Sequence, residues 1–585
     1  MSNVTGYPLK LRNSFAMPLR QVFIYIAFSI LLAVISLIPL ITLITTSFEP
    51  QNSHPLMPSP LTLDNYKTVF TSAHVYELLG NTLIYSAGVL AFGLVVAFIM
   101  AWLVERTDIP FKKFVNVAIF LPMAMPGAIT AIGWTFLLNP TNGMINLFLR
   151  DLFNLQGTGP FNIYSLGGMI FISGLSCIPT MFIMCSSVMR NLDPSLEEAG
   201  SASGASGWKI TNLIIVPMIK PGLLSILIYF AVIIIDTLEV PLILGMNAKY
   251  DILSVEIYKK TAGVDGLPNY GLASTFGIIT LILGFLMLFL YFYMTRKSKQ
   301  YATITGKGFR SKIYKIGKLK FFALGLIGVF FLLKLVLPLL VLLWSSLLPF
   351  FQNPSMKMVS LLSFKNYIFL LNDSRFLSAI QNTVILTLSA SILCMGLAAV
   401  VSWLIVRGRG FLARLLDTLA FLPHLIPSII IGLALLLTSV GTPLYGTLTI
   451  MIIGYIIRYI PFGVRTLTSV FIQISNELEE QAYASGASRI VTFRKIVLPL
   501  VLPAFVNGVL WVISHTVRDM TLPIFLISTT NLVMGSLIWE TWRAGQGVAT
   551  SAIIVMLVII LLVVITPVQW YMERKLNRRI SSVNS

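Results

Sequence analysis

The chain has 585 residues, of which 56% are hydrophobic and only 11% charged, and its mean hydropathy is +0.87. Soluble chains carry about 25% charged residues, so this one has too little charge to cover a water-facing surface. That excludes a soluble enzyme, a disordered protein and a nucleic-acid binder, and the net charge of +19 (41 Lys and Arg against 22 Asp and Glu) becomes informative through its placement.

A helix that crosses the roughly 30 Å hydrocarbon core needs about 20 apolar residues. Twelve segments qualify: 21–47, 78–104, 114–138, 166–190, 213–238, 272–294, 321–348, 378–406, 414–438, 446–471, 498–526 and 549–571. The first is too long for the apolar core of a cleaved signal peptide and has no small-x-small cleavage site, so it reads as a span. The expectation is an all-α polytopic membrane protein. Cys177, Cys185 and Cys394 fall in these apolar runs without metal or redox spacing and read as small packing residues.

Lys and Arg in short loops orient the spans. Lys10, Arg12 and Arg20 precede the first span, and Arg106, Lys112 and Lys113 follow the second. Nine basic residues and no acid occupy 295–320. Arg407, Arg409 and Arg414 follow the eighth span, and Arg574, Lys575, Arg578 and Arg579 follow the last. With alternating spans all of these share one side, so both termini are expected in the cytoplasm. The basic runs are expected to meet lipid headgroups rather than nucleic acid.

The chain is also a tandem repeat. Asn65-Tyr66 recurs as Asn366-Tyr367 at an offset of 301, as do Asn81-Thr82 (Asn382-Thr383), Trp102 (Trp403), Arg106 (Arg407), Phe120-Leu121-Pro122 (Phe421-Leu422-Pro423) and Pro126 (Pro427). Further on the offset is 282, pairing Glu197-Glu198 with Glu479-Glu480, 202–206 with 484–488, and Pro217 and Pro221 with Pro499 and Pro503. The 19-residue difference places an insertion within 139–165 of the first half. Two six-span halves, 1–294 and 321–585, joined by the linker 295–320, would share one membrane orientation about an axis along the membrane normal. A pathway between them is the natural consequence.

The repeated polar segments 192–212 and 474–495 follow the fourth span of each half and are rich in Ala, Ser and Gly. Asp193-Pro194-Ser195-Leu196-Glu197-Glu198 reads as a helix start, with acids near the positive end. Gly204 and Gly486 would end that helix in a left-handed turn or a close backbone approach. A second short helix is expected to end at Pro217 or Pro499. Two copies of such an elbow make a docking surface.

These elbows resemble the EAA loop of binding-protein-dependent ABC importer permeases: Glu-Ala-Ala, three residues, Gly, nine residues, Ile-x-Leu-Pro. The copies read Glu198-Ala199-Gly200, Gly204, Ile214-Ile215-Val216-Pro217, and Glu480-Gln481-Ala482, Gly486, Ile496-Val497-Leu498-Pro499. Gly200, Val216 and Gln481 depart from the pattern, which bears on whether both loops couple equally. Fused permeases of this size look most like the ferric-iron uptake group, whose relatives handle thiamine or phosphonates, so the resemblance implies ferric iron as the solute, with thiamine, a phosphonate or another small anion as the alternative. The resemblance implies that Glu197, Glu198, Ala199, Gly204, Glu479, Glu480, Ala482 and Gly486 form coupling helices seated in a cytoplasmic ATPase homodimer, with Glu198 and Glu480 on the docking face. ATP and Mg would bind that partner, and an extracytoplasmic binding protein would deliver the solute. The chain has no G-x-x-x-x-G-K-[ST] of its own, and Gly306-Lys307-Gly308 lacks the spacing. No cofactor or metal is expected on it.

Charges inside spans are functional hypotheses by default. Asp236 and Arg518 are repeat-equivalent, with Glu239, His515 and Asp519 nearby and Pro241 and Pro523 following. They read either as an outer gate or solute contact, or as an interfacial Asp236–Arg518 pair. Lys334, Arg458 and His424 read as lone packing or snorkelling residues. Pro122 and Pro126, like Pro423 and Pro427, kink the third span of each half, as a pathway wall or for packing alone. A six-plus-six secondary transporter would need mid-span coupling acids, and a membrane enzyme would need clustered His or carboxylates. Neither, and no channel, gives a reason for duplicated elbows.

Overall fold

A computed structural model describes residues 19–51, 59–190, 194–264, 266–295, 313–408 and 410–562. Lys10, Arg12, residues 52–58, Asp193, the basic run 296–312, Arg409 and 563–585 lie outside the described residues. The last of these holds the end of the twelfth span and the C-terminal basic cluster.

Nine expected spans are continuous helices among the described residues: α1 (Val22–Ser47), α2 (Ala73–Arg106), α4 (Leu166–Arg190), α5 (Asn212–Ile235), α6 (Tyr270–Leu290), α7 (Leu319–Ser346), α8 (Ser374–Arg407), α10 (Leu448–Gln473) and α11 (Arg494–Arg518). A shorter apolar helix, α12 (Gly547–Leu562), reaches the edge of the described residues. The third span of each half is broken rather than kinked. Its pieces α3a (Phe114–Ala124) and α3b (Gly127–Leu138) meet at 93°, and α9a (Phe411–Leu425) and α9b (Ser428–Ser439) meet at 101°. Proline disfavours the helical region for the residue before it. Met125 (φ −92, ψ 115) and Ile426 (φ −98, ψ 117) are accordingly extended, each just before a proline.

The fifth spans also stop early, at Ile235 and Arg518 rather than 238 and 526. Asp519 turns extended (φ −75, ψ 131). Its carboxylate accepts the Leu522 N–H at 3.2 Å, which starts a separate helix, Thr521–Leu526. Short helices follow in both halves, Glu239–Ala248 and Leu253–Ala262 in the first and Met534–Arg543 in the second. The second helix of each elbow, by contrast, does not end at its proline. It runs on into the fifth span through a π-turn, Thr211–Ile215 or Phe493–Val497. A wider turn gives the ring of Pro217 or Pro499 room without breaking the ladder.

In lipid every backbone polar group must find a partner within the protein, and the repeated polar residues supply those partners. Asn65 donates to the carbonyls of Ser47 and Glu49 at 3.0 and 2.6 Å, and Asn366 to Ser346 and Leu348 at 2.8 and 2.7 Å. Asn81-Thr82 and Asn382-Thr383 tie the second span of their half to the loop and helix at 251–253 or 530–534. The second and fourth spans of each half pack along one another, whereas α1 packs on α9 and α7 on α3. The first span of each half thus crosses to the other. At one such crossing a Cβ on Gly133 would lie 2.7 Å from the Pro338 ring, so only glycine permits the approach.

Candidate functional site

Each elbow begins with a helix, Pro194–Ala202 or Asn476–Ala484. The second is capped by Ser475, whose hydroxyl accepts the Glu477 N–H at 3.2 Å. Both helices end alike. Gly204 and Gly486 are left-handed (φ +76 and +80). Ala205 N–H reaches Gly200 O at 3.1 Å, Gly204 N–H reaches Ser201 O at 3.0 Å, and Ala487 and Gly486 repeat the pattern on Ala482 and Tyr483. This is the glycine-terminated helix end that satisfies two orphan carbonyls. Gly200 has a local reason as well. A Cβ there would meet Ile214 at 2.9 Å and Ile210 at 3.3 Å, whereas the second copy carries Ala482 together with the smaller Thr492 in place of Ile210.

The expected coupling residues divide into two sets. Glu198, Ala199, Gly204, Glu480 and Gly486 are exposed and Ala482 is half-buried. Glu197 and Glu479 point the other way, into the permease. Arg106 Nη1 lies 2.5 Å from Glu197 Oε1, with both side chains at most 2% exposed, and Arg106 Nη2 donates to Met189 O at 3.2 Å. Arg407 holds Glu479 through Nε and Nη2 at 2.9 and 2.7 Å and donates to Ile474 O at 3.2 Å. Each elbow is therefore bolted to the end of the second span of its half. Sequence reasoning used these arginines only as topology and repeat markers. The missed signal was a basic and an acidic residue recurring together in both halves.

The ionisable residues in the spans converge on the two helix breaks. Asp236 accepts the Ser428 and Ile429 N–H groups at 2.9 and 3.2 Å, so a first-half carboxylate sits at the N-terminus of α9b in the second half. Glu239 accepts Ala128 N–H at 3.4 Å, at the start of α3b, and Met520 N–H at 3.2 Å. Exposed N–H groups and the aligned peptide dipoles favour an anion there. Arg518 reaches from the second half to the Met123 carbonyl at the end of α3a, and its Nε donates to Ser514 O at 2.6 Å. Lys334, 1% exposed, donates to Met125 O, Thr130 Oγ1 and Ser176 Oγ at 3.3, 2.7 and 2.9 Å. Arg458 pairs with Asp519 at 2.6 Å, and Tyr455 donates to the other Asp519 oxygen at 3.1 Å.

Two expectations are corrected by this geometry. Asp236 and Arg518 do not pair with each other, because each is taken by a helix end across the interface. Lys334 and Arg458 are not lone residues. His515 lies beside the cluster, stacked 3.8 Å from Trp511 and meeting the Tyr459 ring that Arg458 covers, and His424 lies against Phe421. Reversing Asp236 and Arg518 together should therefore rescue nothing, since a guanidinium would face the positive end of α9b. Uptake by the double variant should be no better than by the worse single variant, and recovery toward wild type would restore the direct pair.

Asp236, Glu239, Arg458 and Arg518 are each half-buried, so the cluster borders open space rather than dry packing. A separate cavity of about 820 Å³ opens at the far ends of the spans, lined by Asn139, Tyr164, Trp539, Trp542, Arg543 and Gln546 among others. At 1.5 Å per residue, Tyr164, just before α4, is roughly 36 Å from the elbow end of that helix. Among the described residues no group of three His, Cys, Asp or Glu is placed to hold a metal ion.

The family model for the binding-protein-dependent transport system inner membrane component matches the chain twice, over residues 93–300 and 392–582. The chain belongs to that family. It is a transmembrane permease subunit of an ATP-driven ABC importer in the inner membrane, and in such systems ATP is hydrolysed by a separate subunit. The permease is 27% identical to a putative ferric transport system permease protein of Haemophilus influenzae, over 80% of this chain and 72% of that one. It is 24% identical to an Fe(3+)-transport system permease protein of the same organism, over 82% and 87% of the two chains. A ferric transport system permease protein of Actinobacillus pleuropneumoniae is 25% identical over 84% and 70%. Among solved structures, a bacterial ABC transporter that imports alginate aligns with the permease at a TM-score of 0.40 and 21% identity, over 48% of this chain and 96% of that one.

Proposed function

We propose that the permease carries ferric iron inward, delivered by an extracytoplasmic binding protein and driven by a cytoplasmic ATPase homodimer that holds ATP and Mg. What supports iron over thiamine or a phosphonate is that three relatives named for ferric transport align over 80%, 82% and 84% of this chain. The functional units are the halves 1–294 and 321–585 and the linker 295–320, with both termini in the cytoplasm. Reconstituted with its binding protein and ATPase, the permease should accumulate ⁵⁵Fe in liposomes only with ATP. ATP-dependent uptake of thiamine or a phosphonate, and none of iron, would replace this solute and leave the transporter class intact.

The exposed faces of the two elbow helices, Glu198, Ala199 and Gly204 with Glu480, Ala482 and Gly486, seat in the ATPase dimer, while the buried Glu197 and Glu479 pass their motion to α2 and α8. Asp236, Glu239, Arg518 and Asp519 form the gate. Asp236, Glu239 and Arg518 each bind a helix end in the other half, so separating the halves must break these contacts, whereas Asp519 is held within its own half by Arg458 and Tyr455. Space is open around both elbow glycines, so a larger residue there meets strain rather than a clash. A non-glycine left-handed residue costs about 1–2 kcal/mol, least for asparagine. Gly486→Asp should therefore leave the permease folded and inserted but reduce co-purification of the ATPase. Gly486→Asn should sit between it and wild type. Full ATPase retention and uptake in Gly486→Asp and in Gly204→Asp would overturn the coupling assignment.

A further inference from the structure

The two elbows are not held alike. In the first, the second Glu197 oxygen accepts the Tyr314 hydroxyl at 2.9 Å. Tyr314 belongs to the segment that leads into α7, the first span of the second half. That segment is docked by its backbone as well. Tyr314 N–H donates to Arg106 O at 2.7 Å, Asp108 N–H to Tyr314 O at 3.2 Å, and Ile316 N–H to Asp108 Oδ1 at 2.9 Å. The Tyr314 ring stacks on Trp102 at 6.3 Å and 17°. An isolated parallel bridge links Thr107 and Tyr314. Burial and the neighbouring carboxylate push the phenol up to about 12, so it stays protonated and donates.

In the second elbow Arg407 alone holds Glu479 among the described residues, through one carboxylate oxygen. Trp403 repeats Trp102, yet no described tyrosine stacks on it. Among the described residues, the join between the halves therefore contributes a third member to the first anchor and none to the second.

Resting on the coupling reading above, we infer that Tyr314 is a positioning residue for the first coupling helix. It links the start of the second half to the Glu197 anchor of the first. Movement of the first elbow is then passed to two spans at once, α2 through Arg106 and α7 through Tyr314. Movement of the second is passed through Arg407 to α8. The physical basis is the number of rigid connections: a carboxylate held on both oxygens by two elements cannot swing about one of them. A tyrosine that merely filled space would serve as well without its hydroxyl.

The test is Tyr314→Phe, which removes the hydroxyl and keeps the ring, in the full transporter with its ATPase and binding protein. Two readings are taken together: solute imported per ATP hydrolysed, and hydrogen–deuterium exchange of the elbows 194–204 and 476–486. Faster exchange in the first elbow alone is expected, with about tenfold less import per ATP. In a double-mutant cycle the change should be non-additive with Glu197→Asp and additive with Glu479→Asp. Tyr314→Ala, which also loses the stack, should be worse than Tyr314→Phe in both readings. Equal exchange in the two elbows, or an unchanged import ratio in Tyr314→Phe, overturns the inference. Gly486→Asp in the same preparation separates the two ideas. If it retains its ATPase and its uptake, the coupling reading fails, whereas a normal Tyr314→Phe beside a defective Gly486→Asp removes only the role of Tyr314.

Discussion

Glu197→Gln should be the most damaging conservative change in the first elbow. It leaves Arg106, 1% exposed, without its counter-charge inside the protein. Breaking a buried ion pair from one side costs about 3–5 kcal/mol, because the remaining charge stays desolvated. The permease in nanodiscs should lose thermal stability by that order, and protease should cut first within 194–206. Glu198→Gln, one residue away and exposed, should leave stability unchanged and act only on ATPase binding. Equal melting of the two variants would mean that the Arg106–Glu197 contact does not anchor the elbow. Glu479→Gln should be milder than Glu197→Gln, since Arg407 is 16% exposed and its carboxylate partner 9%, so water compensates part of the loss.

The second large effect is expected at Asp236. Asp236→Ala leaves the Ser428 and Ile429 N–H groups without acceptors at a helix break inside the membrane. Each buried donor left unpaired costs about 1–3 kcal/mol, and the α9b N-terminus also loses its counter-charge. The gate should then open without ATP. A cysteine placed at Ser428 should react faster with a membrane-impermeant maleimide in Asp236→Ala than in wild type. Asp236→Asn, which keeps one acceptor oxygen, should fall between them. Unaltered labelling in the alanine variant would confine Asp236 to a packing role.

Much of this protein can be derived by reading along the chain. An apolar run long enough for lipid is a property of contiguous residues, and so is the basic bias of the loops. The duplication is read by comparing the chain with itself, and it led directly to both elbows. Gly204 and Gly486 were legible for the same reason, because a helix of small residues that stops without proline calls for a left-handed glycine. The proline pairs announced a disturbance in the third spans. Whether it was a kink or a right-angle break depended on partners for the freed N–H and C=O groups, and those came from elsewhere.

The membrane class, the order of spans, the repeat, the elbows and the family they resemble could all be read along the chain. Those features are local or repeated, and local periodicity and chain-length constraints specify them. What each charge does depended on contacts between segments far apart in the chain. Asp236 and Arg518 occupy equivalent positions and carry opposite charges, which suggested a pair. Instead Asp236 binds backbone 192 residues away, and Arg518 binds a carbonyl in the other half. Adjacent glutamates 197 and 198 read alike in sequence, but one faces Arg106 inside the permease and the other faces solvent. Successive residues on a helix lie about 100° apart, so one turns inward when its neighbour turns out, and packing against α2 sets which.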